Sequence, residues 1–321
     1  MGLTDTSDSM GMTAQTARPA DAPPSWVDYL PQSLQGFARL SRFDRPIGFW
    51  LLAIPCWMGV AFAGLDVGWR ATNLLYGILF GVGAIAMRGA GCTINDLADE
   101  DLDRQVARTA ERPLPSGAVT RTQAYIWLAA QLAVGLVVLL FLPLAAKIVA
   151  LLSIPLVVAY PFMKRITWWP QAWLGITFNW GFPVGYFTAG GNDYFWAALF
   201  YLGLIAWTIG YDTIYARQDV KDDAIVGIKS TARLFGDKTL PAVAGIYGLC
   251  ALLIGIALSY GGPRVPGVMI TIAFMCHLIW QLVMLKTKGD AVALQLFKSN
   301  RDAGLLIVFG IVVTITLSML S

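Results

Sequence analysis

Long apolar stretches separated by short polar segments run through almost the whole chain. A helix needs roughly 17 to 25 apolar residues to cross a bilayer, and each stretch is long enough for one crossing. Pro143 is the main separator of the third and fourth stretches, but the two merged would be too long for one span. The pattern therefore predicts nine transmembrane helices, over 47–65, 73–94, 122–142, 144–163, 171–190, 194–215, 242–260, 265–285 and 303–320.

The segment before the first stretch predicts two further features. Leu30, Leu34, Phe37 and Leu40 recur at helical spacing, which is typical of a short helix on the membrane surface. Residues 1–30 are rich in small and polar side chains and lack a central apolar block. We therefore expect a disordered tail over 1–30, no cleavable signal peptide, and one nine-helix domain over 31–321.

The composition excludes an ordinary soluble domain. Hydrophobic residues make up 57% of the chain and charged residues only 13%, which is typical of an all-α polytopic membrane protein. The four cysteines lie in apolar stretches without CxxC spacing, so neither a disulfide framework nor a zinc site is predicted. The sequence implies contact with membrane lipid, and neither a nucleic acid nor a protein partner.

The positions of the basic residues predict the orientation. Most of the 23 lysines and arginines fall in loops that the predicted helices assign to one side, whereas the other side has only Arg70, Lys147 and Arg264. Basic loops normally stay in the cytoplasm. The N-terminus is therefore predicted to be cytoplasmic and the C-terminus outside, in a bacterial inner membrane.

An acidic cluster closes the second apolar stretch. If the helix continues through it, Asn95, Asp96, Asp99 and Asp103 fall within about 100° of arc on one face. Acidic residues that border a membrane span are costly, so such a cluster indicates a function. Glu100 and its neighbour Asp101 point off this face, and they are interpreted as solvated loop acids.

A second acidic cluster closes the sixth stretch. Its members also fit an arc of about 100° on a continuous helix: Asp212, Tyr215, Asp219, Asp222 and Asp223. Two acidic faces at corresponding ends of two spans can meet across a cavity and hold a divalent metal. Magnesium prefers one or two carboxylates together with phosphate oxygens, so a diphosphate is the expected ligand.

Cations follow each acidic cluster closely. Such groups stabilise the charge on a leaving diphosphate, although orientation of the spans and attraction to anionic lipid are an alternative explanation. The candidates are Arg108, Arg112, Lys229 and Arg233, with Arg104 as a further one. Arg88 lies inside the apolar stretch, two turns before Asn95, and must face a cavity or a partner.

Together these motifs resemble a known family. The two acidic clusters look like the aspartate-rich motifs of the UbiA superfamily of intramembrane aromatic prenyltransferases. Shorter motifs resemble those of its 4-hydroxybenzoate branch: Arg42–Gly48, Met87–Cys92, Arg112–Gly117, Tyr160–Arg165 and Gly227–Ala232.

The resemblance implies a fold and a reaction. We expect nine helices around a central lipid-accessible cavity, and Mg²⁺ between the two motifs. A polyprenyl chain would pass from polyprenyl diphosphate to the ring carbon ortho to the hydroxyl of 4-hydroxybenzoate, in ubiquinone biosynthesis. The implied metal ligands are Asn95, Asp96, Asp99, Asp103, Asp219 and Asp223, and the catalytic candidates among them are Asp99, Asp103, Asp219 and Asp223. Arg88 is a further catalytic candidate because of its place inside the apolar stretch.

The acceptor and the developing cation require further side chains. A benzoate carboxylate favours the bidentate geometry of arginine, for which Arg45, Arg88 and Arg165 are candidates. Asp222 of the second acidic cluster is a further substrate-binding candidate. The faces of aromatic rings stabilise cations. The aromatic candidates are Tyr160, Phe178, Trp207, Tyr211 and Tyr215.

Other functions remain open at this point. Another acceptor, such as homogentisate, dihydroxynaphthoate, protohaem or chlorophyllide, would suit the same motifs. A cation-coupled transporter would also explain acids beside spans, although these acids cluster at one membrane edge instead of at the midplane. A transferase that joins alcohols to CDP-lipids normally has a contiguous motif that opens Asp-Gly, and neither cluster has one.

Overall fold

The computed structural model describes residues 24–105, 109–225 and 227–320. Most of the predicted tail, residues 1–23, and the candidate Arg108 lie outside these ranges. Within them the regular structure is entirely helical, which confirms the predicted all-α class. The α-helices are α1 (Gln32–Leu40), α2 (Ile47–Val67), α3 (Thr72–Asp103), α4 (Arg121–Phe141), α5 (Leu144–Leu151), α6 (Ser153–Ile166), α7 (Pro170–Phe178), α8 (Gly181–Ala189), α9 (Tyr194–Ala216), α10 (Val220–Ile225), α11 (Thr231–Phe235), α12 (Thr239–Tyr260), α13 (Arg264–Lys288) and α14 (Ala293–Leu320).

The described helices match the predicted crossings. The counterparts are α2, α3, α4, the pair α5 and α6, the pair α7 and α8, α9, α12, α13 and α14. Seven helical segments of the described residues are long and apolar enough to cross a membrane, one of which contains both α13 and α14, and the pair α7 and α8 is not among them. The largest difference is at α14, which begins at Ala293, ten residues before the predicted start. Lys298 and Arg301 lie in this first part of the helix, and their charge hides it from a search for apolar runs.

The two paired crossings are interrupted at polar or proline-containing positions. Pro155 and Pro183 are each the third residue of the second helix of a pair, where a missing backbone N–H costs little. At the α7–α8 break, the buried Asn179 amide donates to the Gly175 and Leu204 carbonyls and to Thr208 Oγ1, at 2.8, 3.2 and 2.7 Å. This side chain satisfies backbone groups that have no water to bind inside a membrane.

Two compact units make up the chain, one of Met1–Pro46 with Met87–Ala133 and the other of Ile47–Ala86 with Val134–Ser321. The first unit contains α1, the end of α3 that carries the first acidic cluster, and the start of α4. Leu40, Leu114, Val119 and Ala124 form its small apolar core. The turn that follows α1 also lies in this unit.

The last part of the predicted tail, residues 24–30, includes regular structure. Trp26–Tyr29 form a short 3₁₀ helix, and the Val27 side chain is fully buried. Asp28 also accepts a hydrogen bond from Arg39 Nη2 at 2.9 Å. The boundary at residue 30 is therefore wrong, because one apolar side chain and one ion pair tie this segment to the first unit.

The core of the second unit is built from α2, α8, α9, α12, α13 and α14, with Phe80 of α3 and Ala146 of α5 added to it. Helix α9 packs against α7, α12 and α14, whereas α2 packs against α8 and α14. The α2 and α8 backbones touch at glycines, since a Cβ on Gly59 would lie 2.1 Å from the Phe182 carbonyl oxygen. This contact leaves no room for a side chain between the two helices.

Buried polar side chains also join helices of the second unit. Gln281, which is fully buried, accepts from the Tyr247 hydroxyl at 2.6 Å and donates to Asn300 Oδ1 at 3.1 Å. Trp207 Nε1 donates to the same Asn300 oxygen at 2.9 Å. Interhelical hydrogen bonds of this kind hold membrane helices together where apolar packing gives little preference. They connect α9, α12, α13 and α14.

Candidate active site

The first acidic cluster lies on an unbroken helix, as predicted, because α3 continues to Asp103. Its side chains nevertheless fall in two environments. Asn95 and Asp99, one turn apart, are exposed, whereas Asp96 and Asp103 are buried. One strip of the helix end thus presents an amide and a carboxylate outward, and a neighbouring strip presents two carboxylates to the protein.

Arginines neutralise the two buried carboxylates. Arg42 binds Asp96 in bidentate geometry, with Nη2–Oδ1 and Nη1–Oδ2 distances of 2.6 and 3.0 Å. Arg112 Nη1 lies 2.8 Å from Asp103 Oδ2 and 3.9 Å from Asp96 Oδ1. A buried carboxylate requires such a partner, because removal from water is otherwise very costly. Asp96 and Asp103 are thus engaged by this unit's own cations.

Glu100 is not the solvated loop acid that the sequence suggested. Its side chain is only 4% exposed, and its two oxygens accept from Arg104 Nη2 at 2.6 Å and from Arg121 Nε at 2.5 Å. Glu100 is four residues after Asp96 and three before Asp103, so it shares their buried strip. Asp101, by contrast, is 81% exposed.

The second acidic cluster does not lie on one continuous helix, which corrects the predicted single face. Helix α9 ends at Ala216, and the backbone N–H groups of Arg217, Gln218 and Asp219 donate to carbonyls three residues back. Arg217 also forms an ion pair with Asp290, beyond the end of α13. The Asp223 N–H then donates to the Asp219 carbonyl at 2.8 Å, which opens α10.

The acids of this cluster occupy different elements of the second unit. Asp212 and Tyr215 lie on α9, Asp219 in the turn, and Asp223 on α10. The side chains of Asp219 and Asp223 are half-buried. The side chain of Asp222 lies outside the described part of the chain.

Lys229 and Arg233 contact backbone carbonyls near this cluster. Lys229 Nζ donates to the Ile166 carbonyl at 3.2 Å. Arg233 Nη1 donates to the carbonyls of Asp223, at 3.3 Å, and Ile228, and its guanidinium lies 5.5 Å from the ring centroid of Trp168. These contacts hold the loop that follows α10. The predicted binding of a diphosphate by these cations stays a prediction.

The candidates for the acceptor are placed as follows. In the first unit, Arg45 Nε and Nη2 donate to Asp44 Oδ2 at 3.1 and 3.0 Å, and Arg88 is half-buried on α3. In the second unit, Arg165 is exposed at the end of α6, and Tyr160 and Tyr215 are half-buried. Tyr215 packs on Phe297 with ring centroids 4.5 Å apart.

The donor chemistry of the exposed strip suits magnesium. Asn95 and Asp99 offer a carbonyl and a carboxylate oxygen, which are ligands that hard cations prefer. Gly91, one turn before Asn95, has open space where a Cβ would stand. No group of three or more His, Cys, Asp or Glu side chains within the described ranges is arranged to hold a metal. The residues fit magnesium through the type of their donor atoms.

Long apolar helices and an acid-rich helix end define a polytopic membrane protein. Residues 39–301 match the model of the UbiA prenyltransferase family. The chain belongs to this family and is therefore a prenyltransferase enzyme.

Named relatives cover most of the chain. It is 41% identical to a mitochondrial 4-hydroxybenzoate polyprenyltransferase of Rattus norvegicus, over 89% of this chain and 76% of the relative. The mitochondrial enzyme of that name in Arabidopsis thaliana is 42% identical, over 90% and 71%. A 4-hydroxybenzoate geranyltransferase 1 of Lithospermum erythrorhizon is 41% identical, over 94% and 98%. Since two of these relatives are mitochondrial, the comparisons do not support the predicted bacterial inner membrane.

Solved structures support the fold. A UbiA homolog from Aeropyrum pernix K1 superposes with a TM-score of 0.68 at 24% identity, over 82% of this chain and 97% of that one. A UbiA homolog from Archaeoglobus fulgidus, bound to GPP and Mg²⁺, gives a TM-score of 0.67 at 17% identity, over 88% and 99%. At these identities the likeness concerns the fold alone.

Proposed function

We propose that this enzyme transfers a polyprenyl chain from polyprenyl diphosphate to 4-hydroxybenzoate, as a step of ubiquinone biosynthesis. The observation that carries the proposal is the 41% identity, over 89% of the chain, to a relative named for this acceptor and donor. The acid-rich end of α3 and the turn after α9 supply carboxylates suited to Mg²⁺, which in turn binds a diphosphate. The attacked position is the ring carbon ortho to the hydroxyl.

We assign metal-diphosphate binding to both acidic motifs. Asn95 and Asp99 are the outward donors of the first motif, and Asp219 and Asp223 are the donors of the second. When bound, Mg²⁺ offsets the charge on the diphosphate and makes it a better leaving group. Support comes from the exposed amide and carboxylate on α3 and from a family structure solved with GPP and Mg²⁺. Asp96 and Asp103 add negative charge beside them, balanced by Arg42 and Arg112.

Cations of the chain bind the departing diphosphate in this proposal. Donors placed where negative charge develops lower the barrier, because they need no rearrangement during the reaction. Arg112 serves this role through the guanidinium that also holds Asp103. The other proposed cations are Arg108, Lys229 and Arg233, and Asp222 is kept as a substrate-binding candidate.

The bond changes of the transfer define the remaining roles. The allylic C–O bond breaks and its electron pair leaves with the diphosphate. The ring carbon then forms the new C–C bond, and loss of the ring proton restores aromaticity. Tyr160 and Tyr215 face the positive charge on the allyl group, where a cation–π contact contributes about 0.5 to 2 kcal/mol. Arg45, Arg88 or Arg165 binds the acceptor carboxylate through two hydrogen bonds.

The substrate also explains why the enzyme is embedded in a membrane. A polyprenyl tail is insoluble in water, so the tail enters from the bilayer while its charged head stays at the aqueous edge. We propose that this edge is cytoplasmic, from the distribution of basic loops. The orientation is tested with a cysteine introduced at the exposed Ser116. We expect a membrane-impermeant thiol reagent to label this cysteine in inside-out vesicles but not in sealed right-side-out vesicles.

The proposed reaction is tested with membranes that contain the protein. They are incubated with polyprenyl diphosphate, Mg²⁺ and radiolabelled aromatic acids, and then extracted with organic solvent. We expect label in the lipid phase with 4-hydroxybenzoate and only with Mg²⁺. Transfer to homogentisate or dihydroxynaphthoate instead would replace the acceptor, and no transfer to any ring would contradict the proposed reaction.

A further inference from the structure

The turn that follows α1 joins three helices of the first unit around the first acidic motif. It consists of Ser41 and Arg42. The buried Ser41 hydroxyl accepts from Trp127 Nε1 at 2.8 Å and from Gln131 Nε2 at 2.7 Å, both on α4. The next residue, Arg42, forms the bidentate pair with Asp96 on α3. Consecutive residues of one turn thus hold two different helices.

The backbone of Arg42 adopts an unusual conformation. Its φ is 58°, and it is the only residue other than glycine with positive φ in the described part of the chain. A side chain with a Cβ disfavours this region, so the surrounding contacts must compensate for it. Nη1 of Arg42 donates to the Arg39 carbonyl at 3.0 Å as well as to Asp96. The strained turn therefore aims the guanidinium back over α1 and onto α3.

Contacts on one strip of α3 complete this arrangement. Gln131 Oε1 accepts from Thr93 Oγ1 at 3.3 Å, and a Cβ on Gly89 would lie 2.3 Å from Gln131 Nε2. Gly89, Thr93 and Asp96 follow one another at helical spacing, so all three contacts fall on the same strip. Asn95 and Asp99 lie roughly 100° further around the helix. The strip held by the turn therefore determines which way these two side chains face.

We propose that Arg42 is a positioning residue for the metal-diphosphate site. Its bidentate pair with Asp96 fixes the rotation of the α3 end, and this rotation keeps Asn95 and Asp99 directed outward. Asp96 acts as the partner of Arg42 and not as a metal ligand. The inference rests on the proposed function, because it assumes that Asn95 and Asp99 bind the metal.

The test measures Mn²⁺ binding to the purified full chain without substrate. Mn²⁺ replaces Mg²⁺ as the probe, and electron paramagnetic resonance reports the free ion. Lysine at position 42 keeps the charge but loses the fork that binds both carboxylate oxygens. We expect Arg42→Lys to weaken Mn²⁺ binding roughly 10- to 100-fold, as for other residues that orient metal ligands. Ser41→Ala keeps Arg42 and should weaken binding by less.

Arg39 provides a matched control. It also lies at the end of α1, is 8% exposed, and pairs with Asp28 at 2.9 Å. Asp28 belongs to the 3₁₀ helix before α1, not to α3. Arg39→Lys should therefore leave Mn²⁺ affinity unchanged. An equal loss in Arg39→Lys and Arg42→Lys would show that any disturbance of α1 suffices, and would overturn the assignment.

A double-mutant cycle separates positioning from direct contact. If Arg42 acts through Asp96, the two substitutions should not have additive effects. The double variant Arg42→Lys with Asp96→Asn should then bind Mn²⁺ as tightly as the single variant that has the lower Mn²⁺ affinity. Additive losses would overturn the proposal, since they indicate that Asp96 is a separate ligand. If Arg42→Lys instead raises only the KM for polyprenyl diphosphate, Arg42 contacts substrate and the proposal is wrong.

The same measurements separate this inference from the proposed function. Normal Mn²⁺ binding by the unaltered chain without transfer to 4-hydroxybenzoate would contradict the acceptor and leave the role of Arg42 standing. Absence of Mn²⁺ binding by the unaltered chain, with or without polyprenyl diphosphate, would overturn the metal site and the role of Arg42 together. Thermal unfolding in detergent accompanies each variant, so that a loss of fold is recognised.

Discussion

Neighbouring acids on α3 differ in what surrounds them. Asn95 and Asp99 are exposed, whereas Asp96, Glu100 and Asp103 are buried against arginines. A residue in the first group can be changed without leaving a buried charge unpaired. A change in the second group also removes a partner from an arginine, so it affects stability as well as activity.

The exposed carboxylate gives the first prediction. Asp99→Asn removes a charged oxygen that we assign to the metal, so kcat/KM for prenyl transfer should fall at least about 100-fold. The melting temperature in detergent should stay within about 2 °C, because the side chain is exposed and its contribution to folding is small. Asp101→Asn is the control, since this acid is 81% exposed and off the proposed donor strip. Full activity of Asp99→Asn would remove this residue from the metal site.

The buried glutamate gives the opposite prediction. Glu100→Ala leaves Arg104 and Arg121 without their shared carboxylate, and both arginines are more than half exposed, so water compensates for part of the loss. We expect the free energy of unfolding to fall by about 1 to 2 kcal/mol, measured by denaturation in detergent. Asp302→Ala breaks the exposed pair with Arg301 and should cost less than about 0.5 kcal/mol. Equal costs for the two variants would contradict the structural role of Glu100.

At the scale of elements, the crossings were predicted well from the length of the apolar stretches and from the proline that separates two of them. The pattern also predicted that α3 continues through its acids, which the structure confirms. It failed after α9, where the arc drawn through Asp219 and Asp223 assumed a continuous helix. The break there accompanies an ion pair between Arg217 and Asp290, residues 73 positions apart in the chain. Such a contact leaves no periodic signal in the sequence.

The contact between α2 and α8 gives a prediction for a single added methyl group. A Cβ on Gly59 would lie 2.1 Å from the Phe182 carbonyl oxygen and 2.7 Å from the Tyr186 nitrogen. These are backbone atoms, so the helices must separate. Gly59→Ala should therefore lower the free energy of unfolding by about 1 to 3 kcal/mol, as overpacked cores do.

Gly248 on α12 is the matched control. A Cβ there meets nothing within 4 Å, and alanine favours a helix more than glycine does. Gly248→Ala should be neutral or stabilising by up to about 1 kcal/mol. Both variants are compared by thermal unfolding in the same detergent. A Gly59→Ala protein as stable as Gly248→Ala would show that the close contact is absent.

For the whole molecule, the family and the helical class were both readable from the sequence. Spaced motifs and apolar length depend on residues close together in the chain. The candidate site was only partly predictable, because its contacts join residues that are distant in the sequence. Ser41 binds Trp127, at a separation of 86 residues, and Arg42 binds Asp96, at a separation of 54 residues. Arg42 is the first residue of the short motif Arg42–Gly48. Nothing in the sequence, however, indicated that its role differs from that of the neighbouring Arg39 and Arg45. The burial of Glu100 likewise depends on Arg121, in another helix.

The metal requirement is a prediction for the molecule as a whole. Removal of divalent ions with EDTA should abolish prenyl transfer, because the acidic motifs alone repel the diphosphate. Addition of Mg²⁺ in excess should restore the activity, whereas Ca²⁺, which is larger and bound less rigidly, should restore less. The assay follows label into the lipid phase at several metal concentrations. Transfer that persists in EDTA would contradict the metal role of both motifs.

The direct contact of α2 with α8 also constrains how this enzyme can diverge. A Cβ on Gly185 would lie 2.2 Å from the Cys56 carbonyl oxygen, so a substitution there is as damaging as one at Gly59. Neither position gains from a compensating change in a partner side chain, because the opposing atoms are backbone. Selection should therefore keep glycine at both positions in any descendant that keeps this fold, while Gly248 is free to drift.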